Sequence, residues 1–278
     1  MTAPVTQSAG RIFALVLRHF YLLRKSVIRL GELVYWPTMQ MIMWGYLAKH
    51  LAAQSGTTGT IGTPAALALA PGLLIAGVLL WDVLFRSQIG VALSFLEELY
   101  SRNLGHLFVS PLRPWEMISA TLVMGSIRTV IGVGTAALLA IAIHDYSIFG
   151  LGVPLAAFFA NLMLLGWAFG LAAAALVLRY GLAAENFAWG FVFAIAPVSG
   201  IYYPVSVLPA WLQPVALALP STHVFEGMRA WALTGVFRWD HLGAALGLNA
   251  LYLAAGALSF AWAFARAREL GLLLQSGE

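Results

Sequence analysis

The chain contains no cysteine, which excludes a disulfide framework, a thiolate zinc site and an iron–sulfur cluster. Charge is nearly as scarce. Only 9% of the 278 residues are charged and 61% are hydrophobic, against roughly 25% and 45–50% in soluble domains. No G-x-x-x-x-G-K-[ST] loop is present, since the two lysines, Lys25 and Lys49, do not follow glycine; nothing here cradles nucleotide phosphates. There is no G-x-S-x-G elbow, and the neighbouring carboxylates Glu97 and Glu98 would diverge by about 100° on a helix. No catalytic residue is therefore assigned. The histidines His19, His50, His106, His144, His223 and His241 lack ligand spacing, so no metal site is expected. No internal repeat is visible and the two halves differ, which argues against the inverted-repeat plan of many secondary carriers.

What is present is oil in long runs. Six segments come near the roughly 20 apolar residues that cross a bilayer: Leu33–Leu51, Ala65–Phe85, Met117–Ile143, Val153–Leu178, Phe187–Ile201 and Leu242–Ala265. The expected fold is one all-α integral membrane domain over 1–278 with six transmembrane helices. Ahead of them, "RIFALVLRHFYLLRKSVIRLGE" interrupts its apolar positions with Arg11, Arg18, Arg24, Lys25 and Arg29. Residues 1–31 thus read as an amphipathic interfacial helix rather than a cleavable signal. Near the other end, prolines 197, 204, 209, 214 and 220 forbid a continuous helix, and 202–237 is expected to form re-entrant outer elements.

The formal charge is +4 and the pI about 9.6, but the basic residues are spread along the chain, so nucleic acid is not an expected partner. They sort instead by side. The N-terminal helix, an island holding Arg86, Arg102 and Arg113, a loop with Arg179, and a tail with Arg266 and Arg268 fall together; Lys49, Arg229 and Arg238 fall opposite. By the positive-inside rule both termini and the island are expected in the cytoplasm.

The island, "SFLEELYSRNLGHLFVSPLRPWE" from Ser94 to Glu116, is the longest polar stretch. Ser94 and Glu97 have capping-box spacing, predicting a short helix from Phe95 that Gly105 ends, with Pro111 and Pro114 blocking its continuation. Its mixed surface, Glu97, Glu98, Leu99, Tyr100 and Arg102, suits docking on a protein; a plain interfacial helix is the alternative. Asp82 is placed near the cytoplasmic end of the second span. Arg128, about 16 Å into the third, is a charge that faces a pore or a packing partner. Gly166 with Gly170, and Gly243 with Gly247, are small-xxx-small pairs expected to let helices approach. Ser221 is expected to cap a helix in which Glu226 and Arg229 pair, with His223 on the same strip, so that exchanging the two charges would restore part of a lost function.

The stretches "EELYSRNLGHLFVSPLRPWE" and "PSTHVFEGMR" resemble the membrane subunit of ABC-2-type ATP-binding-cassette exporters. In the second, Pro220, His223 and Arg229 occupy the family's proline, histidine and arginine places, while Ser221 departs from its usual hydrophobic or Thr residue. The resemblance implies that segment 94–114 is a coupling helix seated on a separate ATPase. It also implies two ATPase copies, which would carry the ATP and Mg, and a homodimer of permeases in a bacterial inner membrane, with no cofactor in this chain. An amphipathic cargo (lipid, lipid-linked glycan or polysaccharide, or hydrophobic drug) would leave between protomers, past an outer gate of His223, Glu226 and Arg229. An ion-driven carrier and a non-transporting anchor or assembly protein are the alternatives.

Overall fold

A computed structural model describes residues 5–57, 71–100 and 112–270. The regular elements among them are all helical: α1 (Val5–Lys25), α2 (Val27–Thr57), α3 (Pro71–Tyr100), α4 (Pro114–His144), α5 (Val153–Tyr180), α6 (Glu185–Ile195), α7 (Gln213–Leu217), α8 (Pro220–Thr234) and α9 (Trp239–Glu269). Local chemistry sets the boundaries. The basic amphipathic helix ends at Lys25, earlier than residue 31, because Ser26 starts a new helix: its hydroxyl accepts the Arg29 N–H and its carbonyl the Leu30 N–H, an N-cap arrangement. Pro37 sits inside α2 without ending it. Gly181 (φ 63°) and Gly235 (φ 68°) close α5 and α8 in left-handed conformations that a Cβ would strain.

Among the described residues four helices are long and apolar enough to cross a membrane: Gly72–Ser94, Pro114–His144, Val153–Tyr180 and Trp239–Glu269. The first of these differs from expectation. Its span lies further along the chain than Ala65–Phe85 and runs through Ser94, whose hydroxyl bonds back to the Gly90 carbonyl at 2.7 Å and caps nothing. Asp82 accordingly lies inside the span rather than near its end. It is compatible with that place because Arg86, one turn on, pairs with it; Asp82 is buried and Arg86 largely so, and opposite charges at i and i+4 share a helix face. The other two expected spans fall short of the test. Tyr35, Trp36, Thr38 and Gln40 dilute the apolar run of α2. Helix α6 has 11 residues, about 16 Å of rise against about 30 Å of hydrocarbon.

Helix sense follows from close approaches. Leu33 lies on Gly132 and Gly45 on the His144 ring, so α2 and α4 run parallel. Gly166 lies on Leu84 and Ser87, and Gly170 on Gln88 and Val91, so α3 and α5 are parallel. Asn249 donates to the Asn161 carbonyl and side chain at 3.0 and 2.9 Å and Gly256 meets Ala168, so α5 and α9 are parallel too. Gly90 faces Gly125 while Arg86 reaches Gly132, which makes α3 and α4 antiparallel. The ends at Val27, Tyr100, Pro114, Tyr180 and Glu269 therefore gather at one end of the bundle. Helix α3 is its axis, with 94% of its span buried. Gly166 and Gly170 are close-packing sites as expected; Gly243 and Gly247 meet nothing within 4 Å and pack on no described residue, because they face away from the α5 contact.

Beyond α6 the backbone breaks at Ala196, ahead of Pro197 and earlier than expected. A 3-10 turn at Ala196–Val198, another at Val205–Val207 and the short α7 lead to α8. This segment packs against the end of the bundle opposite the island: Ile201 on Gly77 of α3, and Tyr202 stacked on Trp44 of α2 with ring centroids 4.5 Å apart.

Candidate coupling site and outer clamp

Two arginine–glutamate pairs bracket the polar island. On its entry side, Glu97 of α3 meets Arg29 of α2 at 3.4 Å. On its exit side, Glu116 of α4 is fully buried and receives Arg11 of α1 through Nη2 at 2.7 Å and Nε at 3.0 Å, a bidentate geometry with charge-assisted strength. The same carboxylate accepts the Arg113 N–H at 2.9 Å. With Pro114 in the first turn, this closes the N-terminus of α4 and places a negative charge where the helix dipole favours one. Ser8 adds a bond to Arg11, and the carboxylate holds the Arg11 guanidinium above its ordinary pKa. The two N-terminal helices are thus tied to the two helices between which the island runs.

Of the residues expected to dock a partner, only the Glu97 side chain is described. The side chains of Glu98, Leu99 and Tyr100, and all of Arg102, lie outside the described residues. Arg128 on α4 is partly buried, its Nε has no hydrogen-bond partner among the described residues, and it has Glu97 and Arg29 as charged neighbours. A helical side chain leans toward its own N-terminus, so Arg128 extends toward the island end. Arg29 and Glu97 pair across α2 and α3, with Arg128 of α4 within electrostatic reach of both.

At the opposite end, His223, Glu226 and Arg229 lie together on α8 as a clamp on the broken segment. Arg229 is 6% exposed; its Nη1 lies 2.9 Å from the Glu226 carboxylate and its Nη2 donates to the Gly200 carbonyl at 2.6 Å. Glu226 accepts the Val205 N–H at 2.8 Å. The pair therefore supplies a donor and an acceptor to backbone that no helix satisfies, as buried peptide groups require. His223 Nε2 lies 2.9 Å from the Leu217 carbonyl, and its Nδ1 lies 3.3 Å from Nδ1 of His241 on α9. Ser221 caps nothing. Leu219 holds the N-cap position, Pro220 begins α8 rather than ending the segment before it, and the Ser221 hydroxyl is buried without a partner among the described residues.

Sequence reasoning misses Arg11, Glu116, Asp82 and Arg86. A proline followed two residues later by glutamate ahead of an apolar run marks a helix start, and Pro114 and Glu116 carry that signal. The identity of Arg11 as the partner carries none, because the two are 105 residues apart. Among the described residues no group of three His, Asp or Glu is placed to hold a metal ion.

Within the clamp, Thr222, whose hydroxyl lies 3.4 Å from the Val198 carbonyl, should tolerate valine with a loss of about 1 kcal/mol or less, since a long neutral bond adds little. Thermal unfolding of the purified variant measures it.

A family model described as ABC-2 type transporter matches residues 11–233, a stretch that holds both arginine–glutamate pairs and the clamp. No curated protein sequence matches the chain.

Proposed function

The chain belongs to the ABC-2 type transporter family, and from that premise we propose that it is the membrane-spanning permease subunit of an ATP-driven exporter, working as a homodimer with two copies of a separate ATPase. Such permeases are transport components that normally pair with an ATPase subunit, and this chain has no phosphate-cradling loop of its own. The observation that carries the reading is the pair of ion bridges around the island. An ATPase that grips residues 94–114 and moves them would carry α3 and α4 along, and through Glu97–Arg29 and Glu116–Arg11 would carry α2 and α1. Such a link, strongest at the buried Glu116–Arg11 pair, would turn a cytoplasmic contact into a change at the membrane.

The same reading completes the span count at six: α2 crosses first, and α6 with the broken segment makes the fifth crossing. Both termini and the island then lie in the cytoplasm of a bacterial inner-membrane protein. Cargo is amphipathic and leaves between protomers, with Arg128 in its path and the clamp at the outer side. An ion-coupled carrier is disfavoured because Asp82, an acid well inside a span, already has Arg86 as its counter-ion.

The test is reconstitution in liposomes with candidate ATPases. Cargo should move only with the ATPase and nucleotide; movement by the permease alone would overturn the proposal. Within that assay, Glu98→Arg should weaken ATPase association through like-charge contact at the interface. Arg11→Gln should leave association intact while lowering cargo movement per ATP hydrolysed, because the force path, not the docking surface, is cut. Equal coupling in wild type and Arg11→Gln would remove α1 from the mechanism.

A further inference from the structure

Toward the island end of the bundle the parallel helices α5 and α9 line a cavity of about 530 Å³, within the range of about 300–1,000 Å³ typical of small-molecule sites. Small residues of α5, Ala172 and Ala175, form one wall; Leu258, Ser259 and Trp262 of α9 form the other. At its mouth stands Arg179. Its guanidinium lies 5.0 Å from the Trp262 ring centroid and 5.4 Å from that of Tyr180, so two aromatic faces hold it in place. It has no hydrogen bond or ion pair among the described residues.

A positioned cation without a counter-ion among the described residues, at the end of a span and above an apolar cleft, suits a ligand that is anionic at one end and oily at the other. The surrounding charge has the same sign. Arg266 is neutralised by Glu269 at 2.8 Å, but Arg268, in the last turn of α9, has no ion pair among the described residues. The apolar part of the ligand has a track as well. Leu251, Leu258 and Trp262 are 65%, 71% and 55% exposed and recur seven and four residues apart on one helix face, which leads from the cavity toward the middle of the bilayer. Trp262 and Tyr180 sit where aromatic side chains mark the headgroup level.

We propose that this cleft binds one anionic phospholipid from the leaflet on the island's side, its phosphate on Arg179 and an acyl chain between Ala172 and Leu258. The site is separate from the island and the clamp and rests only on the chain's being embedded in a membrane, not on transport. Arginine suits the role better than lysine, because a planar guanidinium stacks on the rings and still presents N–H donors to phosphate oxygens.

Native mass spectrometry of the purified, delipidated chain supplied with phosphatidylglycerol or phosphatidylcholine tests this without ATPase or cargo, so failure here is distinguishable from failure of the transport reading. Phosphatidylglycerol should be retained preferentially. Arg179→Gln should weaken that retention about fivefold, as expected when one basic group worth about 1 kcal/mol at a membrane surface is removed. Ala172→Phe, which fills the cleft and keeps Arg179, should abolish retention while helix content is preserved. Lys49→Gln, a basic residue beside Tyr46 on the opposite end of the bundle, should change nothing. Equal retention of the two lipids, or wild-type retention in either Arg179→Gln or Ala172→Phe, overturns the proposal.

Discussion

Replacing Gly256 by valine should prevent α9 from seating on α5 and give a chain that is extracted from membranes misassembled or with a much lowered thermal midpoint. A Cβ at this position would overlap the Ala168 carbonyl oxygen. That obstacle is backbone in the middle of a helix and cannot rotate aside, so the helices must separate. Separation would also break the Asn249–Asn161 bonds, leaving amide groups in an apolar interior. Overpacking typically costs about 1–3 kcal/mol, and the loss of this polar contact adds to it. Gly243→Ala is the matched control on the same helix. Nothing lies within 4 Å of that position, so relief of glycine's helix penalty should leave stability unchanged or raise it by up to about 1 kcal/mol. Thermal unfolding of the two variants in detergent decides; equal midpoints would contradict the parallel packing of α5 and α9.

The second large effect is expected at the clamp formed by Glu226 and Arg229. Arg229→Ala removes the donor to Gly200 and leaves the Glu226 carboxylate, 22% exposed, with only the Val205 N–H. Breaking a buried pair from one side costs about 3–5 kcal/mol; partial hydration of Glu226 lowers this to about 2–3 kcal/mol. Hydrogen exchange at the Val205 amide should accelerate, and transport should fall while ATPase association persists. The double exchange Glu226→Arg with Arg229→Glu should not rescue the loss. It would set a carboxylate against the Gly200 carbonyl and a guanidinium against the Val205 N–H, two acceptors facing in one place and two donors in the other. Recovery of transport in the exchanged protein would show that only the net ion pair matters and that the backbone contacts are incidental.

These two cases also mark how far the sequence can be read. The helical class and the membrane setting are legible because a helix of about twenty consecutive apolar residues has no polar face to turn to water and is at home in hydrocarbon. The pairing of Glu226 with Arg229 is legible because three residues separate them on one helix. What Arg229 does beyond that is not, since Gly200 lies 29 residues earlier and the partner atom is a main-chain oxygen, which no side-chain pattern encodes. The second span runs past its expected end for a related reason. Counting charges as interruptions ends it at Phe85, whereas Asp82 and Arg86 cancel each other inside one helix and let the apolar run continue. Gly243 and Gly247 carry the same spacing as Gly166 and Gly170 but no neighbour, because spacing fixes a face and not what meets it.

The broken segment after α6 has a consequence for biogenesis. As the nascent chain enters the membrane, α6 emerges too short to cross by itself, and the backbone that follows exposes peptide groups at Gly200 and Val205 that lipid cannot satisfy. Their partners, Glu226 and Arg229, belong to a later part of the chain. Until α8 has been synthesised and folded back, this stretch must stay at the insertion machinery or in water rather than partition into lipid. The second half of the protein therefore integrates as a unit, α6 through α9 together. A ribosome stalled soon after residue 205 would hold a chain in which Gly200 and Val205 have no partner yet, because Glu226 and Arg229 have not been made.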